Sequence, residues 1–108
     1  MSTVDAAIES RALAAVKVLS GLGVVRAAYL FGSHVGGIPD QWSDIDLVVF
    51  VEGVETWDIH DRARISALVQ REAGDEIELH FFPAEALQHH HSASFAAWVL
   101  NHGVKLAG

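Results

Sequence analysis

Cysteine is absent from the 108 residues. That excludes a disulfide framework and a thiolate zinc site, and it fits a reducing cytoplasm. Basic residues are scarce: Lys and Arg together number 7 against 14 Asp and Glu, for a net charge of −7 with histidines neutral. Affinity for a polynucleotide rests on neutralising its phosphates with Lys and Arg, so a duplex-binding surface is not expected. The basic residues are scattered, with Arg62, Arg64 and Arg71 forming one loose cluster. A nucleotide held through a divalent cation, or a basic protein partner, remains compatible with this charge. No apolar run is long enough to cross a bilayer, and the opening MSTVDAAIES places acids before any apolar run. Neither a membrane span nor a signal peptide is expected. Internal repeats, linkers and low-complexity tracts are also missing, apart from the three histidines His89, His90 and His91.

Apolar residues make up 51% of the chain, which argues against disorder. The length fits one domain over residues 1–108. A domain of this size buries roughly two-thirds of its unfolded surface, enough for one core without staples. Helical spacing of Ile8, Ala12, Ala15, Val16 and Leu19 predicts a helix from about Thr3 to Ser20, capped by Thr3 and stopped by Gly21 and Gly23. A strand follows over about Val24 to Phe31, and its Ala27-Ala28 pair suggests a helix crossing closely over it. A second strand, about Asp44 to Val51, is apolar from Leu47 onward without alternation, as expected of a central strand covered on both faces. A second helix is predicted over about Thr56 to Ala73, burying Trp57, Ile59, Ile65, Leu68 and Val69. A third strand, about Glu76 to Phe82, alternates, with Glu76, Glu78 and His80 on one face and Ile77, Leu79 and Phe81 on the other. One or two helices fill about Ala84 to His102, where Phe95, Trp98 and Val99 are apolar, and Val104 to Leu106 can add a short terminal strand. The fold class is therefore α/β, with helices packed on a sheet of three main strands.

The stretch Tyr29 to Val51 carries the chemistry. Gly32 lets the backbone approach a ligand, and Ser33 adds a hydroxyl beside backbone N–H groups, which suits a phosphate. Asp44 and Asp46 are two positions apart on a strand, so both carboxylates point one way while Ile45 points the other. Two converging carboxylates repel each other unless a divalent cation such as Mg²⁺ lies between them. Ser33 and Asp44 are 11 positions apart, which gives the chain room to go out and return and lets the phosphate cradle face the carboxylates.

Gly32-Ser33, the later Gly37, and Ser43-Asp44-Ile45-Asp46-Leu47 resemble the signature of the DNA-polymerase-β-like nucleotidyltransferase superfamily. More narrowly, the chain is similar to its small stand-alone members, the minimal nucleotidyltransferases, one branch of which are antitoxins paired with HEPN ribonucleases. The resemblance implies a nucleotidyltransferase fold and transfer of AMP from ATP to a hydroxyl, with release of pyrophosphate. It assigns Gly32 and Ser33 to the triphosphate and Asp44 and Asp46 to two Mg²⁺ ions. Two-metal transfer uses a third carboxylate. Glu78 is chosen over Glu76 because small relatives carry a Glu-x-His segment on this strand. Many relatives also place a basic residue just before the glycine that corresponds to Gly37, where this chain has Gly36. No extra helical domain to bind the acceptor is expected, so the resemblance implies a homo-oligomer or a HEPN-type partner protein, with a non-catalytic nucleotide-binding or partner-binding module as the alternative.

Other residues are left with open or modest roles. His80 shares the predicted face of Glu78 and can contact nucleotide or acceptor, or support the site from behind. His34 stands where it can reach phosphate, though neutral imidazole contributes less than Arg. Trp42 is read as a rim or core residue. His89, His90 and His91 diverge too widely along a helix to chelate one ion and read as a solvated helix end. No His/Asp pattern makes Ser33 a covalent nucleophile.

Overall fold

The computed structural model describes residues 5–32 and 44–108. In chain order these form helix α1 (Ala6–Ser20), strand β1 (Val25–Phe31), strand β2 (Ile45–Val51), a 3-10 turn (Val54–Thr56), helix α2 (Ile59–Ala73), strand β3 (Ile77–Pro83), a second 3-10 turn (Ala84–Leu87), helix α3 (Phe95–His102) and strand β4 (Val104–Ala107). Among the described residues the strands make one sheet in the order β3-β2-β1-β4. β1 runs antiparallel to β2 and β4, and β2 runs parallel to β3. A parallel pair needs a crossover, and α2 supplies it. The fold is the expected α/β arrangement, with β4 as the short terminal strand.

β2 is the most deeply buried element: Ile45 and every residue from Leu47 to Val51 have 0% exposure. The absence of alternation has a direct cause, since each face of the strand meets a different core. Ile45, Leu47, Val49 and Val51 pack with Ala12, Ala15, Val16 and Leu19 of α1 and with Ile65 and Val69 of α2. Val48 and Phe50 point the other way, into a smaller cluster with Ala27, Ala96 and Val99. The Ala27-Ala28 pair serves both sides, Ala28 against the α1 side and Ala27 against α3.

Several element boundaries differ from expectation, each for a local reason. α1 is capped by Asp5, whose carboxylate accepts the Ala7 N–H at 2.8 Å; Thr3 lies outside the described residues. α2 begins at Ile59 instead of near Thr56, because Asp58 and Asp61 form a reciprocal capping box, each carboxylate accepting the other residue's backbone N–H. Thr56 instead donates its hydroxyl to the Gly53 carbonyl at 2.6 Å, closing the 3-10 turn. Ile59 is therefore the first residue of the helix, 77% exposed and not part of the buried stripe. Trp57 is half-buried, edge-on to Phe81 at 5.6 Å between ring centroids. His89, His90 and His91 lie between the second 3-10 turn and α3, not at a helix end, and all three are exposed. His90 Nδ1 pairs with the Ala86 carbonyl at 2.7 Å, and His91 Nδ1 accepts the Ala93 N–H.

The two faces are covered unequally. On one side lie two helices of 15 residues. On the other lies α3, with 8 residues, about 12 Å of helix over strands of 7 residues, about 23 Å long. α3 covers Val48 and Phe50 but leaves the N-terminal ends of β2 and β3 accessible on that face. Asp46 and Glu78 stand there.

Candidate active site

Parallel pairing of β2 with β3 puts Asp46 level with Glu78 and Val48 level with His80. Side chains at 46, 78 and 80 share the α3 face, because even-numbered positions of both strands point that way while Ile45, Leu47 and Ile77 enter the other core. Asp46, Glu78 and His80 converge: one ligand atom from each lies within 4.8 Å of the others. His80 Nε2 is 3.6 Å from Asp46 Oδ1 and 3.8 Å from Glu78 Oε1. Both separations are too long for hydrogen bonds. Among the described residues this nitrogen is buried and has no hydrogen-bond partner, and His80 is the one cation-forming side chain within ion-pair range of either carboxylate. Asp46 and His80 are half-buried, while the Glu78 side chain is 53% exposed.

Gly32 completes the geometry at the end of β1. Phe31 is the register partner of Asp46, so the next residue turns away beside the Asp46 carboxylate. Gly32 does this at φ +89°, and a Cβ built there would lie 2.5 Å from Asp46 Oδ2. Two independent constraints thus call for glycine: the left-handed backbone and the lack of room. Phe31 also packs edge-on against His80 at 5.2 Å and against Phe95 at 5.3 Å, fixing the imidazole from the side.

The remaining predicted site residues fall as follows. Asp44 immediately precedes β2 and is exposed, and it is not one of the three converging groups. Ser33, His34, Gly36, Gly37, Trp42 and Ser43 lie outside the described residues. Glu76 does not share the face of Glu78, contrary to the alternation read from sequence. It precedes β3, and its carboxylate pairs with Arg11 of α1 at 2.5 Å, on the opposite side of the sheet. Gly74, at φ +137°, redirects the chain just before it, and a side chain there would run into the Glu76 carboxylate at 2.7 Å. Alternation begins only at Ile77. His80, whose role was open from sequence, is part of the group; the Glu-x-His spacing on an alternating strand was the signal for it.

Two carboxylates facing a partnerless imidazole nitrogen suit a divalent cation. Two atoms each about 2.1 Å from one ion lie no more than about 4.2 Å apart, and both separations from His80 Nε2 fall inside that limit. The residues present therefore fit a divalent cation, through Asp46, Glu78 and His80.

The family described as Polymerase beta, Nucleotidyltransferase matches residues 15–106, nearly the whole chain. No curated protein matches the chain, and no solved structure does.

Proposed function

The chain belongs to the polymerase beta nucleotidyltransferase family, and on that premise we propose that it transfers AMP from ATP to a hydroxyl group in a reaction that requires a divalent cation. The observation that carries this reading is the convergence of Asp46 and Glu78, aligned across the β2–β3 pair, with His80. In the transfer, the acceptor oxygen bonds to the α-phosphorus and gives up its proton to solvent, the bond from that phosphorus to the α,β-bridging oxygen breaks, and pyrophosphate leaves. Asp46 and Glu78 would hold the cation, while Asp44, exposed just before β2, stands outside the converging group. When bound, the cation neutralises triphosphate charge and lowers the cost of the charge that builds up on the leaving group.

The protein's own part is positioning. Gly32 keeps the backbone close to the Asp46 carboxylate without a side chain in the way, and the family resemblance assigns Gly32 and Ser33 to the triphosphate. Glu78, the most exposed of the three converging groups, lies nearest to incoming acceptor and accepts the hydrogen bond of its hydroxyl. Holding the hydroxyl in line with the leaving oxygen removes most of the entropic barrier.

The acceptor is a hydroxyl on a second chain, of the HEPN type in the antitoxin reading, because a domain of 108 residues spends most of its apolar side chains on its own two cores. The test is to incubate the protein with ATP labelled in the α-phosphate, Mg²⁺ and the protein encoded beside it. Label on the neighbour supports the reading. ATP that binds but labels no acceptor sinks it in favour of a module that binds nucleotide without turnover.

A further inference from the structure

Carboxylates are the ligands expected of such a cation, yet among the described residues the buried side-chain atom left without a hydrogen-bond partner is a nitrogen. His80 Nε2 is buried, without a hydrogen-bond partner among the described residues, and faces both carboxylates at 3.6 and 3.8 Å. A buried polar atom left unsatisfied costs on the order of 1–3 kcal/mol, so such an atom calls for a ligand. A proton on Nε2 aimed at a carboxylate would normally draw the two within about 3 Å, and the separations here exceed that. They fall instead within the reach of two ligands on one ion. The ring is held in place: Phe31 stands edge-on to it at 5.2 Å and Phe95 lies 6.5 Å away. His80 also sits opposite Val48, one alternation beyond the Asp46–Glu78 pair. The imidazole therefore reaches back toward the carboxylates from the closed, aromatic end of the site.

From this geometry we infer that His80 is a direct metal ligand and that the Asp46–Glu78–His80 group takes a first-row transition ion, of the Mn²⁺, Co²⁺ or Zn²⁺ kind, in preference to Mg²⁺. The inference rests on the proposal that this site holds a divalent cation, and it adds the donor and the selectivity. Imidazole suits transition ions, whereas Mg²⁺ favours all-oxygen coordination and keeps its waters. One nitrogen with two carboxylates gives three protein ligands and leaves positions open for phosphate oxygens. The nitrogen donor comes from the same strand as Glu78, so β3 supplies two of the three ligands and β2 the third.

The test uses Mn²⁺ as the probe and the full-length protein. Pulsed electron paramagnetic resonance of the Mn²⁺-loaded wild type should show nitrogen modulation from a directly bound imidazole. His80→Gln, which keeps the bulk beside Phe31, should abolish that modulation and weaken Mn²⁺ binding by calorimetry by at least about tenfold, the lower range for loss of a supporting group. Mg²⁺ affinity should change less than twofold in the same variant. A circular-dichroism melt unchanged in His80→Gln shows that the effect is local, and His80→Ala serves as the second variant if Gln itself coordinates. If Mn²⁺ binds wild type without nitrogen modulation, and His80→Gln binds it equally well, the ligand assignment is overturned while the metal site stands. If neither Mn²⁺ nor Mg²⁺ binds wild type, the metal site falls and this inference falls with it.

Discussion

A methyl group on Gly32 would sit 2.5 Å from Asp46 Oδ2. The end of one strand thus touches the carboxylate of its neighbour at the point where the site opens. Gly32 also lies at φ +89°, so a side chain there meets both backbone strain and a collision. Gly32→Ala should destabilise the protein by about 1–3 kcal/mol and move the Asp46 carboxylate out of the group. Gly53 separates the two effects, since it has φ +74° but nothing within 4 Å of a built Cβ. Gly53→Ala should cost about 1 kcal/mol through the backbone alone and leave divalent-ion binding intact. Chemical denaturation and Mn²⁺ titration of the two variants decide it. Equal loss of metal affinity in both would mean that the proximity of Gly32 to Asp46 does not shape the site.

Glu76 and Glu78 are two positions apart, yet they serve opposite faces of the sheet. Glu78 faces Asp46 and His80, whereas Glu76 pairs with Arg11. Glu78→Gln should therefore abolish divalent-dependent ATP binding, and Glu76→Gln should leave it unchanged. Glu76→Gln breaks a partly exposed ion pair and should cost about 0.2–1 kcal/mol, less at high salt. Asp46→Asn should lose metal binding as Glu78→Gln does. In metal-free protein it removes one of two neighbouring negative charges, so its melting temperature should equal or slightly exceed that of wild type. Calorimetry with ATP, with and without chelator, checks the set. An undiminished response in Glu78→Gln would remove this residue from the site.

The same residues show what could be read from sequence and what could not. The central position of β2 was legible because Leu47 to Val51 are apolar without a break, and the two separate cores that explain this are both present. Gly32 is expected from sequence to let the backbone approach a ligand, and the close approach found is to the Asp46 carboxylate of its own chain. The face of Glu76 departs from the alternation expected from sequence because period-two alternation holds only inside a strand, and Gly74 turns the chain before β3 begins. The starts of α1 and α2 shifted because a capping Asp lay closer to each helix than the Thr expected to lead it. His80 was left open because its role depends on register. Only the parallel pairing of β2 and β3, a tertiary fact, makes position 46 level with 78 and brings position 80 within reach.

α3 has one face too many for the domain alone. Ala96, Ala97 and Val99 are buried, and they are small enough to let the helix lie close to the sheet. Phe95 and Trp98 point outward, 44% and 47% exposed, with their rings stacked 7° from parallel at 6.2 Å. His102 continues the row, stacked on Trp98 at 4.9 Å. At its other end the row joins the site, because Phe95 touches Phe31 and Phe31 touches His80. An aromatic surface leading to the three converging groups is suited to seat an acceptor chain, and exposed Trp is the residue type that most often anchors such contacts. Trp98→Ala should shift the melting temperature little, since the ring is half exposed, and should leave divalent-dependent ATP binding within twofold of wild type. AMP transfer to the neighbouring protein should fall at least about tenfold at limiting acceptor, the effect of losing one anchor worth about 2 kcal/mol. Transfer that is unaffected in Trp98→Ala, and also in Phe95→Ala, would place the acceptor elsewhere on the molecule.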